Sequence, residues 1–536
     1  MAQQEISLER DLERGLDLDA ICSWIAQAAP GARLASDSRR LGGGEGFVAY
    51  ASEPAQAGRV DGRQLIAKAL KRVDAAVLFD GRDFAWNDAW IVSHLSVPEL
   101  KQHAGAIAHD CRGMPDAAMF TVGVTGTNGK TSCAVWLGQA FARLGQTAAV
   151  IGTLGVGLFK GRAEPEFDVT GYTTPDAVLL AQTLATLREA GATTLAIEVS
   201  SIGLEQGRTS GMHFDVALFT NLTRDHLDYH GTMECYEAAK AKLFAWPGLK
   251  TAVLNLDDPA GLRLVNHLHL AARSASGQAS GPALVGYTLQ GAAVQAELEG
   301  VAMLRASNIR NRNAGTEFHL DSPYGAATVK TQLVGHFNVS NALAVLGALL
   351  AKGVPLRSAI EAIEALTPAP GRMQQVGGQD APIVVIDYAH TPDALEKTLE
   401  ALRQVAIERG GQLWCVFGCG GDRDPGKRPQ MGAIAQLADH VLVTSDNPRS
   451  EKPGAIIAQI VAGMDAAHPT SRLQAIEDRA AAILSAIKHA AKADVILLAG
   501  KGHEPYQEIK GRKMAFSDAD HAALALAARV TMMRTN

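Results

Sequence analysis

The sequence predicts an α/β protein of three domains, divided at 1–115, 116–369 and 370–536. Three observations lead there. Short apolar runs ending in glycine or polar residues alternate with longer helical runs, the pattern of a mostly parallel sheet covered on both faces. Proline and glycine punctuate the chain in CRGMPD (111–116) and LTPAPGR (366–372), where Pro368, Pro370 and Gly371 make a boundary. The length of 536 residues fits three domains of ~100–200 residues each.

The elements follow in order. In the first block GFVAY (46–50) and AAVLFD (75–80) read as strands, separated by the polar stretch SEPAQAGRVDGR (52–63); CRGMPD reads as a linker. In the second, AMFTVGVTG (118–126), TAAVIGT (147–153), TTLAIEVSS (193–201), FDVALFTNL (214–222) and TAVLNL (251–256) read as strands. TSCAVWLGQAFARLG (131–145), PDAVLLAQTLATLREAG (175–191), MECYEAAKAKLF (233–244) and NVSNALAVLGALLAKG (338–353) read as helices. The third block repeats the pattern, with strands in PIVVIDYAH (382–390), QLWCVFGCG (412–420), HVLVTSDN (440–447) and DVILLAGKG (494–502). Helical runs TPDALEKTLEALRQVA (391–406) and PGAIIAQIVAGM (453–464) separate them. Polar residues cluster just after each of these strands: His390, Arg423, DNPR (446–449) and GKGHE (500–504). Ligands of open α/β sheets bind beyond the carboxyl ends of the strands, so one site built from four loops is expected.

Composition narrows the function. A net charge of −6 gives no basic field for nucleic acid. The N-terminus, MAQQEISLERDLERG, has no apolar signal core, and no long uncharged apolar run suggests a membrane span, so a cytoplasmic protein is expected. Cys22, Cys111, Cys133, Cys235, Cys415 and Cys419 are scattered, which suits a reducing compartment better than a disulfide framework. Cys415 and Cys419 read as buried strand cysteines rather than a metal pair.

The strongest local signal is GVTGTNGKTS (123–132), between a predicted strand and helix, the context of a phosphate-binding loop. Gly126 and Gly129 let backbone N–H groups of Thr127 and Asn128 approach phosphate oxygens, and the helix N-terminus favours anions. Lys130 can reach the terminal phosphates and Thr131 can bind Mg²⁺. The usual pattern wants glycine where this chain has Val124, so the loop is a variant.

GTNGKT resembles the loop of the Mur ligase family, which also includes folylpolyglutamate synthetases. YTTPD (172–176), EVSSIGLEQGR (198–208), FTNLTRDHLDYHGTMECYEAAKAKLF (219–244), HFNVSNALA (336–344), GRM (371–373), DYAHTPDAL (387–395), GCGGDRDPGKRP (418–429), DNPR and GKGHE extend the match in order; within residues 1–115 only SDSRR (36–40) does. The set is most similar to the diaminopimelate-adding members. The resemblance implies an N-terminal UDP-binding domain, a central P-loop ATPase-like domain and a C-terminal Rossmann-like domain. It implies a monomeric ligase whose substrates are ATP, UDP-N-acetylmuramoyl-L-alanyl-D-glutamate and meso-diaminopimelate. ATP phosphorylates the D-glutamate γ-carboxylate, the incoming amine attacks the acyl phosphate, and ADP and phosphate leave.

By the same resemblance Thr131, Glu198 and His226 hold Mg²⁺, together with Lys240 as a carbamylated lysine; Lys242, two positions on, faces elsewhere. Asn338, Asn341, Arg372, Asp387, Tyr388 and His390 complete the ATP site. Ser38, Thr173, Thr174, Ser200, Gln206 and Arg208 meet the nucleotide-sugar peptide. Ile202 and Gln374 depart from the family's usual His and Glu. Arg423, Asp446, Asn447, Pro448, Arg449, Gly500 and Glu504 form the amino-acid pocket. In that pocket the Arg449 guanidinium clasps the distal carboxylate that lysine lacks, and Glu504 takes the distal ammonium. A lysine-adding, D-Ala-D-Ala-adding or folylpolyglutamate-type sister enzyme is the nearest alternative. A P-loop ATPase switch or scaffold is the alternative of another class.

Overall fold

The computed structural model describes residues 17–535 apart from 40, 43, 52–60, 72–75, 162, 164, 275–280, 291–297, 299, 313–314, 379 and 465–471. The polar N-terminus, Arg40 of SDSRR and most of the 52–63 stretch therefore lie outside the described residues. Contacts divide the chain into two compact units. One comprises Met1–Gly123, Gly145–Ala217 and Lys242–Lys250, the other Val124–Leu144, Leu218–Ala241 and Thr251–Asn536.

The first unit opens with a parallel four-stranded sheet: β1 (Leu34–Ala35), β2 (Gly46–Ala49), β3 (Ala76–Phe79) and β4 (Ser93–Ser96). Both expected strands are present, and every residue of each is buried, as a sheet covered on both faces requires. Helices Leu18–Ala28 and Leu100–Asp110 cover one face through Ile21, Trp24, Ile25, Leu100 and Ile107; Ile66 and Ala69 cover the other against Phe47 and Phe79. This packing corrects the cysteine expectation. Cys22 and Cys111 form a disulfide across 89 residues with Cα atoms 5.2 Å apart. Sequence spacing carried no sign of it, because the pairing arises from helix against helix.

CRGMPD, expected as a linker, is pinned instead. Asp116 is fully buried and accepts from His109 Nδ1 at 3.1 Å, from the His213 amide at 2.7 Å and from His213 Nδ1 at 2.9 Å. His213 Nε2 reaches Asp215 at 3.4 Å, and Asp215 also accepts from the Thr121 amide and from Lys250. The hydrogen bonds to Asp116 and Asp215 raise the His213 pKa to about 9.

The central sheet has ten strands. They are β5 (Phe120–Thr125), β6 (Ala148–Gly152), β7 (Gly155–Phe159), β8 (Thr194–Glu198), β9 (Val216–Phe219), β10 (Thr251–Asn255), β11 (Ala283–Thr288), β12 (Val301–Arg312), β13 (Gly315–Ser322) and β14 (Gly325–Thr331). Their order is β14-β13-β12-β11-β10-β9-β5-β8-β6-β7. β6–β8, β10–β11 and β11–β12 are parallel, while β6–β7, β12–β13 and β13–β14 are antiparallel. The sequence reading missed β7 and β11–β14. β13 and β14 alternate buried with exposed positions, and β12 is bulged between Ser307 and Arg310, so neither gives the unbroken apolar run that marks a strand buried on both faces.

The C-terminal sheet runs β15 (Gln374–Gly377), β16 (Ile383–Asp387), β20 (Val495–Ala499), β17 (Leu413–Phe417), β18 (His440–Val443), β19 (Arg472–Ala475), all parallel except β15. A hairpin, β21 (Tyr506–Ile509) with β22 (Arg512–Ala515), follows it. Leu395, Leu399, Leu402, Met431 and Ile460 pack on one face; Ile483, Ile487, Ala522 and Leu526 pack on the other. Cys415 and Cys419 are buried in this core as expected; burial pushes the Cys419 thiol up to about 12.

Candidate functional site

The phosphate loop lies in the second unit, between β5 and the helix Lys130–Arg143. Val124 is a buried strand residue, so the loop proper starts after it and needs no glycine there. Gly126 has φ +146°, and a Cβ on it would lie 1.9 Å from Thr220 Oγ1; Gly129 has φ +86° and backs onto Asn341, whose Oδ1 would be 2.6 Å from a Cβ. Both positions exclude side chains by approach as well as by backbone angle. Residues after β9 shape the loop: the Thr127 amide donates to Asn221 O at 2.8 Å, the Asn128 amide to Asn221 Oδ1 at 2.9 Å, and Thr220 Oγ1 to Asn128 O at 2.6 Å.

Cations gather here. Lys130 Nζ donates to Gly126 O at 2.9 Å and Thr127 O at 2.8 Å, while Lys240 Nζ donates to Gly126 O at 2.7 Å. Lys240, in the last turn of helix Met233–Ala241, is buried and sits 4.3 Å over the Tyr236 ring. Burial, reinforced by Lys130, holds its pKa well below the ordinary lysine value. Lys242 is half exposed and pairs with Glu205 at 2.7 Å, as expected of a residue facing elsewhere. His226 takes the left-handed conformation at φ +53° with Nε2 3.5 Å from Asp225. Crowding by protein and then the ammoniums of Lys130 and Lys240 lower its pKa against the pull of Asp225.

The nucleotide-side residues converge on the same loop. Arg372 Nη2 donates to Thr131 Oγ1 at 3.1 Å, its guanidinium lies 4.3 Å over the Tyr388 ring, and its Nη1 is buried without a hydrogen-bond partner among the described residues. Asn128 Nδ2 reaches Asp393 Oδ2 at 3.0 Å. Asn338 and Asn341 are both buried near the start of helix His336–Ala351, and Asn338 Nδ2 donates to Val334 O. Asp387 accepts from the Met373 amide at 2.8 Å, and burial raises its pKa. His390 Nδ1 donates to Tyr388 O at 2.8 Å; burial, then Lys427, brings its pKa down to about 4, so the ring is neutral. Gln374 Oε1 accepts from the Gly371 amide, a bond glutamate would also make.

The loops after β17, β18 and β20 form a second cluster. Asn447 Nδ2 donates to Glu504 Oε2 at 2.8 Å. Arg449, at φ +50°, donates through Nε to Glu508 Oε2 at 3.2 Å and through Nη1 to Gly421 O at 2.8 Å. Asp446 is buried, its pKa raised by that burial, and it packs on Gly500, where a Cβ would come within 2.5 Å of Oδ2. Pro448 O sits against Gly421. Arg423 is exposed; its Nη1 meets Asp422 O at a long 3.5 Å, and it flanks Gly420 together with Arg449. Asp387, His390, Asp446, Asn447, Arg449, Gly500 and Glu504 thus lie at the carboxyl end of one parallel sheet, as expected.

In the first unit Glu198 ends β8 and is buried, with Oε1 accepting from the Thr153 amide at 2.8 Å and Oε2 from Thr153 Oγ1 at 3.1 Å. Thr153 also meets Thr173 at 3.1 Å. Thr174 Oγ1 lies 2.9 Å from Glu198 O and 3.0 Å from Ser200 Oγ, which caps the next helix. Arg208 clasps Gln206 Oε1 and donates to Thr174 O at 2.8 Å. Ser38 is buried just after β1 and, among the described residues, makes no hydrogen bond to this group. Among the described residues no set of three or more His, Cys, Asp and Glu is arranged to hold a metal, and no helix is long and apolar enough to cross a membrane.

Sequence reasoning missed Thr153, Thr220, Asn221, Tyr236 and Lys501. Thr220 and Asn221 follow β9 directly, the same signal that exposed the third-block clusters. Tyr236 gave none: its hydroxyl lies 3.1 Å from Thr127 Oγ1 only because a helix turns it there.

Residues 124–349 match the Mur ligase middle domain, and residues 371–502 match the Mur ligase glutamate ligase domain. A UDP-N-acetylmuramoyl-L-alanyl-D-glutamate--2,6-diaminopimelate ligase of Janthinobacterium sp. (strain Marseille) is 60% identical, over 96% of this chain and 97% of its own. The protein of that name from Pseudomonas aeruginosa is 47% identical over 92% of this chain and 95% of its own. A solved structure of a ligase of that name is 34% identical with a TM-score of 0.63, covering 94% of this chain and 99% of its own. The MurF ligase of Thermotoga maritima, solved in complex with ADP, shares the fold at 16% identity and TM-score 0.60, covering 94% of this chain and 98% of its own. With near full-length identity on one side and both domain matches bracketing the phosphate loop and the C-terminal cluster on the other, the chain belongs to the Mur ligase family.

Proposed function

We propose that this protein joins meso-diaminopimelate to the D-glutamate γ-carboxylate of UDP-N-acetylmuramoyl-L-alanyl-D-glutamate at the expense of ATP, in the cytoplasm, as a step of peptidoglycan precursor synthesis. The observation that carries the reading is the pocket in which the Arg449 guanidinium and the Glu504 carboxylate are presented from neighbouring loops, a cation and an anion matched to the two charges of an amino-acid centre. The relatives named for this reaction support it over nearly the whole length.

In this reading residues 1–115 hold the UDP-sugar through Ser38, 116–369 hold ATP, and 370–536 hold the amino acid. Lys130 and Arg372 neutralise the triphosphate at the start of helix Lys130–Arg143, the Thr127 and Asn128 amides being taken up by Asn221; the Arg372 Nη1, without a partner among the described residues, fits a phosphate oxygen. Asn338, Asn341, Asp387 and His390 line the nucleotide. Thr173, Thr174, Ser200, Gln206 and Arg208 orient the peptide. The P–O bond to the γ-phosphorus breaks toward ADP while the glutamate carboxylate forms a new one. The diaminopimelate amine then bonds to the carbonyl carbon, loses a proton, and phosphate leaves with the C–O electron pair.

In the second unit the Thr131 hydroxyl and the His226 ring, and in the first the Glu198 carboxylate, are groups that would hold Mg²⁺. Lys240 would join them as a carbamate, an anion with the oxygen donors Mg²⁺ prefers, which forms on a neutral buried amine. The ion's part is to offset phosphate charge. The deciding experiment is phosphate release from ATP with the UDP-dipeptide and either meso-diaminopimelate or L-lysine. Coupling confined to the diacid is expected; equal use of lysine refutes the reading, and hydrolysis without any amino acid points to an ATPase switch.

A further inference from the structure

We propose that Lys501 is a positioning residue for amino-acid selection: it sets the orientation of the Asn447 amide and fixes one oxygen of the Glu504 carboxylate, leaving the other for the ligand. This rests on the amino-acid reading above. Lys501 is fully buried, yet none of the roles described so far uses it. Its Nζ donates to Glu504 Oε2 at 3.0 Å and to Asn447 Oδ1 at 3.2 Å, and it lies 4.0 Å from Asp446 Oδ1. Its remaining side faces the Tyr506 ring at 5.8 Å.

The consequence for Asn447 is geometric. The Glu508 amide donates to Asn447 Oδ1 at 2.9 Å as well, so two donors meet one atom, and that atom must be the oxygen. The amide nitrogen is thereby turned to Glu504 Oε2, 2.8 Å away, and carries a second hydrogen able to meet a ligand carboxylate beside Arg449. Glu504 Oε2 is occupied by both Lys501 and Asn447, whereas among the described residues Oε1 has only a 3.5 Å contact with the Tyr388 hydroxyl, which leaves Oε1 to receive a ligand ammonium.

The consequence for charge is electrostatic. Burial, with a contribution from the neighbouring Glu504 carboxylate, raises the Asp446 pKa. Arg479 counters Asp446 but is itself clasped by Asp518 at 2.7 Å. Lys501 is in direct contact with Glu504, and with an apolar side chain in its place Glu504 loses the cation that fixes Oε2 while a second carboxylate stays beside it.

The test is steady-state phosphate release by the full chain with ATP and the UDP-dipeptide, varying meso-diaminopimelate and then ATP, for wild type, Lys501→Met and Lys501→Arg. Lys501→Met is expected to raise KM for diaminopimelate by about 100-fold, with KM for ATP within about twofold of wild type. Lys501→Arg keeps the charge but moves both contacts, so a partial rescue, a rise of about 3- to 10-fold, is expected. Should Lys501→Met fail to fold, the arginine variant alone decides. An unchanged KM for diaminopimelate, or equal rises in KM for every substrate, overturns the proposal. A wild-type enzyme that does not couple diaminopimelate at all overturns the proposed function instead.

Discussion

Replacing Arg449 by alanine removes a guanidinium that the fold has aimed in advance. The backbone of residue 449 is held on both sides, its amide donating to Glu508 O at 3.0 Å and its carbonyl accepting from Lys510 at 2.7 Å. Nε and Nη1 are tethered to Glu508 and Gly421, so the side chain is about three-quarters buried before any ligand arrives and little rotamer entropy remains to be lost on binding. A ligand carboxylate then gains one or two charge-assisted hydrogen bonds, each contributing about 1.5–3 kcal/mol. At 1.4 kcal/mol per factor of ten, their loss predicts a fall of about 10- to 20,000-fold in kcat/KM for meso-diaminopimelate. Glu508, left behind, is about a quarter exposed and is rehydrated, so destabilisation stays small. Phosphate release measured with diaminopimelate varied, then with ATP varied, separates the effects. A kcat/KM for diaminopimelate within threefold of wild type, or a parallel loss of ATP affinity, refutes the assignment of Arg449 to the distal carboxylate.

Other outcomes follow from the same coordinates. Because the folded state raises the His213 pKa from 6.5 to about 9, the stability it contributes is fully present below pH 6.5 and is lost as pH rises through 9. Allowing for solvent screening of a side chain one-third exposed, that is about 1–2 kcal/mol. Melting of the wild type should therefore drop between pH 7 and 10, and His213→Gln should lack that drop; identical profiles would count against the bridge. Asp215, held at about 2 by its partners against burial, loses its contribution only as pH falls below 3.8 toward 2. Gly126→Ala brings a methyl into Thr220 and should raise KM for ATP by at least about 100-fold, with a protein that still melts cooperatively; normal ATP affinity would mean the loop does not hold phosphate. Under denaturant without reductant, four thiols should react, those of Cys133, Cys235, Cys415 and Cys419, and all six after reduction; six at the outset would disprove the Cys22–Cys111 bond.

The difference between what the sequence revealed and what it hid has a physical origin. Strands such as β5, β16 and β20 are apolar on both faces and stand out as unbroken runs, and the loops beyond their ends carry polar residues for no packing reason, so they stand out too. Gly126, Lys130, Arg449 and Glu504 were legible for that cause. β12–β14 were not, since strands buried on one face share their alternation with much surface structure. Asp116 looked like linker because its importance comes from His109 and His213, one of them 97 residues away. Lys501 was passed over because a lysine between glycines reads as solvated, and only the fold shows that it is fully enclosed.

Two lysines of the phosphate loop region spend their hydrogen bonds on the loop's own carbonyls, and both converge on Gly126 O. The Gly126 carbonyl is thus fixed by side chains from two helices, Lys130 of Lys130–Arg143 and Lys240 of Met233–Ala241, so a change in either lysine reaches the backbone of the loop itself.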